Sequence, residues 1–171
     1  MKLPATVKGF SLVEMILYVA ISSIMLLSLA MLLSFLLSGR IKNQSIADVN
    51  QQGLQVMQLV TQTIRSARSV DSPGIGATST SLSLTMPDPL LSPTVFDVVN
   101  GVVRIKEGSG QAIPLTNSHV TVYPFVFQNI SATTSTDRII RLVFTIDHNN
   151  PSGRNESSFT KSFTGSATLR Q

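Results

Sequence analysis

The sequence predicts an α+β fold in which one long N-terminal helix packs on an antiparallel β-sheet. Three observations support this class. The 24 residues from Met15 to Ser38 carry no charge, and a one-sided apolar pattern then continues to about residue 70. The remainder alternates apolar and polar residues between turn signals. With 171 residues and no cysteine, the chain has room for one compact domain plus an appendage, and it has no thiol chemistry.

The uncharged run is long enough to cross a membrane as a helix. At about 1.5 Å per residue it extends about 36 Å, which exceeds a hydrocarbon core of about 30 Å. A cleaved secretory signal has a shorter apolar core, of about 7–15 residues, followed by a small-x-small site. Here Arg40 follows with no such site. Lys2 and Lys8 on one side balance Arg40 and Lys42 on the other, so charge alone does not predict the orientation.

Glu14 is an acidic residue at the start of this apolar helix. An ionisable group within a bilayer costs several kcal/mol unless it finds a partner or becomes neutral. Two interpretations follow. Either Glu14 contacts a cationic group of its own or a neighbouring chain, or it lies at the lipid–water interface of an ordinary signal anchor and reaches water.

A family resemblance begins at the junction before the helix, which reads Lys8-Gly9-Phe10-Ser11-Leu12-Val13-Glu14-Met15. It resembles the class III signal of type IV prepilins and pseudopilins: a short basic leader, a glycine, then Phe-Ser/Thr-Leu-Val/Ile-Glu opening an apolar helix. The resemblance implies that a prepilin peptidase cuts between Gly9 and Phe10 and that the Phe10 amine is then methylated. It also implies that Glu14 checks the register between successive subunits in a filament.

The same resemblance predicts the organisation of the whole chain. Residues 1–9 are a cytoplasmic leader, 10–38 a transmembrane and assembly helix, 39–70 an amphipathic helix, and 71–171 a globular β-rich domain outside the cytoplasm. Many major pilins carry a proline where this chain has Met31, which favours a minor pilin or pseudopilin. The J-type minor pseudopilins and W-type minor pilins are most similar, through the run from Leu115 to Val122, the pair Phe125 and Phe127, and the final Leu169-Arg170.

The second half of the helix is predicted from an apolar stripe at steps of three, four or seven residues. The stripe consists of Ile46, Val49, Val56 or Met57, Val60, Ile64 and Ala67. Gly53 interrupts it at a cost of up to about 1 kcal/mol relative to alanine. The sequence Asp71-Ser72-Pro73-Gly74 is expected to end a helix that runs from about Phe10 to Val70.

The globular part reads as a series of antiparallel strands. We expect them near Ser81–Met86, Val95–Val99, Val102–Lys106, Ala112–Leu115, His119–Gln128, Ile139–Asp147 and Ser158–Leu169. Asn100-Gly101 predicts a tight hairpin, since a type I′ turn needs a positive φ at both central residues. Pro124 indicates an edge or a bulge within its strand. Residues 147–158 are expected to form a loop.

The residues give no support for an enzyme, a metal site or a cofactor. His119 and His148 have no acidic or cysteine companion at ligand spacing, and they are expected at a strand edge and in a loop. Asp137 and Asp147 read as solvated loop carboxylates. Gly108-Ser109-Gly110 reads as a turn, because it lacks the lysine and the following helix of a phosphate loop.

The expected function is therefore a minor pilin or pseudopilin subunit of a type IV pilus, a competence filament or a type II secretion filament. Its partners would be other pilin or pseudopilin subunits, a prepilin peptidase, the inner membrane and an assembly platform. One alternative is a filament-displayed adhesin or DNA-binding subunit, which needs a coherent basic or aromatic patch; Arg104, Lys106, Arg138 and Arg141 are the basic candidates. The other alternative is a simple bitopic anchor that carries an extracytoplasmic domain.

Overall fold

The computed structural model describes residues 9–133, 137–151, 153 and 158–169. The expected leader, apart from Gly9, lies outside the described residues, as does Arg170. The chain divides into two compact units, of which the first ends at Arg40 and the second begins at Ile41.

The first unit holds most of the apolar part of helix α1, which runs from Leu12 to Ser66. All residues from Gly9 to Leu37 are exposed, although nearly all of those from Met15 on are apolar. An exposed apolar surface of this size is unfavourable in water and marks a membrane or protein contact. The helix is long and apolar enough to cross a membrane. The hydroxyls of Ser23, Ser28 and Ser38 bond carbonyls three or four residues earlier, which satisfies these donors within the helix itself.

The second unit contains the rest of α1 and, among the described residues, nine strands in two antiparallel sheets. The strands are β1 Ser69–Ser72, β2 Thr78–Ser79, β3 Leu82–Thr85, β4 Thr94–Val99, β5 Val102–Glu107, β6 Ile113–Pro114, β7 Val120–Asn129, β8 Ile139–His148 and β9 Thr160–Thr168. The five-stranded sheet has the order β1-β3-β4-β5-β6, and the four-stranded sheet has the order β2-β7-β8-β9. The α+β class is confirmed, whereas the expected single sheet is replaced by two.

The predicted end of the helix at Val70 is wrong. Helix α1 ends at Ser66, and β1 begins at Ser69. The Arg68 amide donates to the carbonyl of Thr85 (2.8 Å), and Val70 pairs with Leu84. The backbone groups that would have continued the helix are thus satisfied by strand β3.

The predicted hairpin at Asn100-Gly101 is confirmed. Asn100 has φ 53° and Gly101 has φ 77°, and Val99 pairs with Val102 on either side of the turn. The tip of the hairpin also joins the two sheets, because the Val122 amide in β7 donates to the Gly101 carbonyl (2.9 Å). A side chain on Gly101 would meet the methyl group of Thr121 at 2.5 Å.

The predicted irregularity at Pro124 is also confirmed. The pairing of β7 with β8 shifts register between Val122 and Phe125, so an extra residue is accommodated there. On its other side β7 pairs with the short β2 at Phe127 and Gln128. Tyr123, next to the proline, is 83% exposed.

One hydrophobic core contains residues of α1 and of both sheets. Most of the predicted apolar stripe of the helix is buried, namely Val49, Val56, Val60, Ile64 and Ala67. Ile46 is only half-buried. The helix and the sheet approach closely where Gly53 faces the ring of Phe163 and Met57 lies over Gly165. Each large side chain therefore fills the space above a glycine of the opposite element.

Candidate functional site

The predicted processing and assembly residues lie at the start of helix α1, where Ser11 is the N-cap. The Ser11 hydroxyl accepts a hydrogen bond from the Glu14 amide (3.2 Å), and the Ser11 carbonyl accepts one from the Met15 amide (3.2 Å). A serine or threonine at this position satisfies an amide that has no partner within the helix. The helix therefore begins at Leu12, two residues later than expected.

Glu14 occupies the first turn of the helix, and its side chain points to exposed surface. The hydroxyl of Tyr18, one turn later, donates to its carboxylate at 3.4 Å. Among the described residues no cation forms an ion pair with Glu14. The carboxylate thus has one weak neutral partner, in a helix surface that is otherwise apolar.

Gly9 and Phe10 precede the helix in an extended, exposed segment. The Phe10 side chain is 72% exposed and touches the Tyr18 ring edge-to-face, with the ring centroids 6.3 Å apart. A Cβ on Gly9 would meet nothing within 4 Å. The bond between Gly9 and Phe10 is therefore outside regular structure and sterically open, as proteolysis of a peptide bond requires.

Sequence reasoning placed Ser11 in the junction motif but missed its role as the N-cap, and it missed Tyr18 altogether. A signal for Ser11 was present, because Ser-x-x-Glu before an apolar run is the signature of a capping box. The signal for Tyr18 was its position four residues after Glu14, where side chains of a helix meet. Comparison with family models, with curated proteins and with solved structures gives no match. The pilin-like function of this junction therefore stays a prediction.

The basic residues considered for a nucleic-acid surface are divided between the two sheets. Arg104 in β5 donates to both carboxylate oxygens of Asp97 across the hairpin, at 2.9 and 2.6 Å. This hydrogen-bonded pairing raises the pKa of Arg104 above its ordinary value, although burial acts in the opposite direction. Arg141 belongs to β8 in the other sheet. No described feature favours DNA or another polyanion as a ligand.

His119, expected at a strand edge, directly precedes β7, whereas His148, expected in a loop, is instead the last residue of β8. Val120 pairs with His148, so His119 is placed next to the end of β8, and both residues line a cavity of about 350 Å³ together with Asp48 of the helix. No sequence spacing could reveal this, because strand pairing and helix packing bring distant residues together. Among the described residues no group of three or more histidine, cysteine, aspartate or glutamate side chains can hold a metal ion.

Proposed function

We propose that the chain is a minor pilin or pseudopilin subunit that assembles into, or primes, a type IV pilus, a competence filament or a type II secretion filament. It enters the inner membrane through its N-terminal helix, with the leader in the cytoplasm and the β-rich unit outside. After a prepilin peptidase removes residues 1–9, the helix joins the filament by packing against the helices of other subunits.

The observation that carries this proposal is the carboxylate of Glu14 on an exposed, apolar helix surface. Its one partner among the described residues is the neutral hydroxyl of Tyr18, which does not offset the cost of placing a carboxylate in lipid. Cleavage after Gly9 would create a positive amine on Phe10, four residues before Glu14. A neighbouring subunit that presents this amine to the carboxylate would neutralise both charges where they leave water.

The structure also favours one competing function, that of a simple bitopic anchor. In that account Glu14 only completes the first helical turn, in which its backbone amide donates a hydrogen bond to the Ser11 hydroxyl. An acidic residue at this end of a helix gains about 0.3–1 kcal/mol from the helix dipole without any partner. The anchor predicts no cleavage at Gly9 and no requirement for the carboxylate.

Intact-mass measurement after coexpression with a prepilin peptidase separates the two functions. The filament subunit should lose the mass of residues 1–9 and gain that of one methyl group on Phe10. A chain of unchanged mass, under conditions in which a known prepilin is cut, would contradict the proposal.

Gly9 and Gly39 provide a matched pair of variants for this measurement. Neither glycine has an atom within 4 Å of the position that a Cβ would take. Gly9→Val should abolish the mass change, because it fills the position that the peptidase must recognise. Gly39→Val should leave the mass change intact, because Gly39 lies within helix α1, far from the cleaved bond.

A further inference from the structure

Strand β9 (Thr160–Thr168) lies at one edge of the four-stranded sheet and pairs with β8 on one side. The Leu169 amide donates to the Arg138 carbonyl and the His148 amide to the Phe159 carbonyl, and the register between these two pairs is continuous. Hydrogen-bonded pairs alternate along an antiparallel ladder, so the odd-numbered residues of β9 bond to β8. The even-numbered residues direct their amide and carbonyl groups away from β8 and form the free edge of β9. They are Thr160, Ser162, Thr164, Ser166 and Thr168.

The free edge of β9 has no partner in the described part of the chain. Its five residues are all exposed, and β9 pairs with no described strand other than β8. None of the backbone hydrogen bonds of the described loops and turns reaches these amides or carbonyls. Unpaired groups in such a row are a template for pairing with another extended chain.

The other edges of the two sheets are short or interrupted. Strand β6 contains two residues, one of which is Pro114, and β1 contains four residues with a register shift between Val70 and Ser72. Strand β2 contains two residues, and β7 beside it carries Pro124 and donates its Val122 amide to the tip of the β4–β5 hairpin. Short strands, prolines, bulges and covering segments are the devices by which proteins block edge pairing. Among the described strands, β9 is the one with a long edge, nine residues, that contains no proline and no register shift.

A row of helix residues lies beside the free edge of β9. Asn50 accepts a hydrogen bond from Lys161 (2.6 Å), and Met57 lies over Gly165, so both positions of the helix face β9. Leu54 is four residues after Asn50 and three before Met57, on the same side of the helix. Beyond β9 the sheet has no further described strand, and the Leu54 side chain is 63% exposed. A strand added about 4.8 Å from β9 would therefore cover Leu54 and Met57 with its apolar side chains.

The charged groups along this row and along β9 are all positive. From Val49 to Ser66 the helix carries one charge, that of Arg65, and β9 carries one charge, that of Lys161. The Lys161 ammonium is turned toward the helix, 5.3 Å from the centre of the Phe163 ring, so it does not obstruct the edge. Arg65 lines the same groove on the helix as Leu54. A second copy of β9 would bring only further positive charge to this edge, whereas an acidic segment complements it.

We propose that the free edge of β9 accepts an extended, acidic segment of another protein as an added antiparallel strand. The segment has apolar side chains at alternate positions, facing Leu54 and Met57, and an acidic residue at each end, facing Lys161 and Arg65. Antiparallel pairing is favoured because it is slightly more stable per residue than parallel pairing. Main-chain hydrogen bonds to the free edge give affinity, and the alternate side chains give specificity. The inference goes beyond the proposed function, since it requires neither cleavage nor entry into a filament.

Hydrogen exchange of single amides tests this proposal, because strand addition produces an alternating pattern. The probe is the acetylated and amidated peptide Thr-Glu-Thr-Val-Thr-Val-Thr-Glu-Thr, and the protein is the full, ¹⁵N-labelled chain in detergent, observed by NMR. Without peptide, the odd-numbered amides of β9 should exchange slowly and the even-numbered amides rapidly. At a peptide concentration ten times the dissociation constant, exchange of the even-numbered amides should slow about tenfold. Protection without this alternation would mean that the peptide only covers the surface, which overturns the proposal.

Thr164→Pro and Thr164→Val are matched variants at the centre of the free edge. The Thr164 amide makes no bond to β8, so a proline there removes no hydrogen bond within the described protein. Thr164→Pro should weaken peptide binding at least about tenfold, because it removes the central donor and its ring obstructs the added strand. Thr164→Val keeps the amide and should bind the peptide as the unaltered chain does. Slow exchange at Phe163 and Gly165 verifies that β8 and β9 remain paired in both variants.

N-methylation of the peptide tests the same hydrogen bonds without changing the protein. The amides of the three inner threonines point toward the free edge of β9 in the proposed pairing, whereas those of the two valines point away from it. Methylation of the threonine amides should abolish binding, and methylation of the valine amides should leave it in place. Equal binding of the two methylated peptides would overturn the pairing, whether or not Thr164→Pro folds.

Lys161→Gln and Lys106→Gln are matched variants for the charge of the partner. Lys161→Gln should weaken binding of the peptide about two- to fivefold, as expected for a partly exposed ion pair. Lys106 is an exposed residue of β5 in the other sheet, so Lys106→Gln should leave binding unchanged. Equal weakening by both variants would show a general charge effect and overturn an acidic partner.

The remaining outcomes also decide the proposal. Slow exchange at the free edge before peptide is added, increasing with protein concentration, would mean that a second copy occupies the edge. The same slow exchange at every concentration would mean that another part of the chain covers it. Either result, or a peptide that does not bind, would contradict the proposal. None of these results bears on cleavage after Gly9, so failure here is distinguishable from failure of the filament function.

Discussion

Gly53→Ala tests the packing of the helix on the four-stranded sheet. Helix propensity predicts that this substitution stabilises the protein, whereas the structure predicts that it destabilises it. On propensity alone, alanine in the middle of a helix stabilises by about 1 kcal/mol relative to glycine. In the structure, however, the new Cβ would lie inside the contact distance of three ring atoms of Phe163. That ring stacks on Phe144, with centroids 5.2 Å apart, and is 8% exposed, so it has little room to move.

The expected net effect of Gly53→Ala is destabilisation. Inserting a methyl group into a packed core costs about 1–3 kcal/mol. Because the new Cβ overlaps a ring with little room to move, the cost of Gly53→Ala lies at the upper end of this range. After the gain in helix propensity is subtracted, a net destabilisation of about 2 kcal/mol remains. For a unit of this size, that change lowers the melting temperature by about 8 °C.

Thermal unfolding of the full chain in detergent, followed by circular dichroism of the β-rich unit, measures this change. Gly39→Ala is the control, because its Cβ would meet nothing within 4 Å in the same helix. Phe163→Ala is destabilising by itself, yet it should make the added Gly53→Ala neutral or stabilising, since the two residues are in contact. A higher melting temperature for Gly53→Ala alone would refute the packing argument.

Three further predictions concern the hairpin, the helix start and the exposed ion pair. Gly101→Ala should destabilise the β-rich unit by about 1–3 kcal/mol in urea unfolding, because the residue has a positive φ and faces Thr121; an unchanged midpoint would contradict this account of the turn. Ser11→Ala removes the N-cap, worth about 1 kcal/mol, and should speed hydrogen exchange of the first-turn amides about fivefold, whereas Ser11→Asp should not. Arg104→Ala should lower the melting temperature at low salt, and the difference should shrink at about 1 M salt, because Asp97 and Arg104 are partly exposed; a difference independent of salt would argue against the ion pair as the cause.

Those parts of the fold that local chemistry determines were predictable from the sequence. Asn100-Gly101 specifies its turn because few other pairs accept a positive φ at both positions. Pro124 specifies an irregular strand because it has no amide to donate. The apolar stripe from Val49 to Ala67 specifies the buried face of the helix, since a period of 3.6 residues has few other interpretations.

Features that depend on distant contacts were not predictable. Val70 is apolar and continues the helical pattern, but pairing with Leu84 makes it part of a strand. Strand β2 contains two residues, too few for any periodic signal. Gly53 looked like a weak point of the helix, and only the position of Phe163 shows why glycine fits there.

The two candidate sites also differ in how far the sequence alone reveals them. The junction from Gly9 to Glu14 is contiguous, so the sequence alone singled it out, and the structure adds the contacts of Ser11 and Tyr18. The cavity at His119 and His148 is assembled from the helix and two strand ends, and no spacing along the chain indicates it.

Glu14→Ala tests the central claim most directly, in cells that carry a compatible filament machine and a prepilin peptidase. The measurement is the amount of the cleaved chain in the sheared filament fraction relative to the amount in the membrane. Glu14→Ala should lower that ratio at least about tenfold, as expected for the loss of a desolvated ion pair of about 1.4 kcal/mol or more. Glu107→Ala, which removes an exposed acid of the β-rich unit, should leave the ratio unchanged. Incorporation of the Glu14→Ala chain at the level of the unaltered chain would contradict the account.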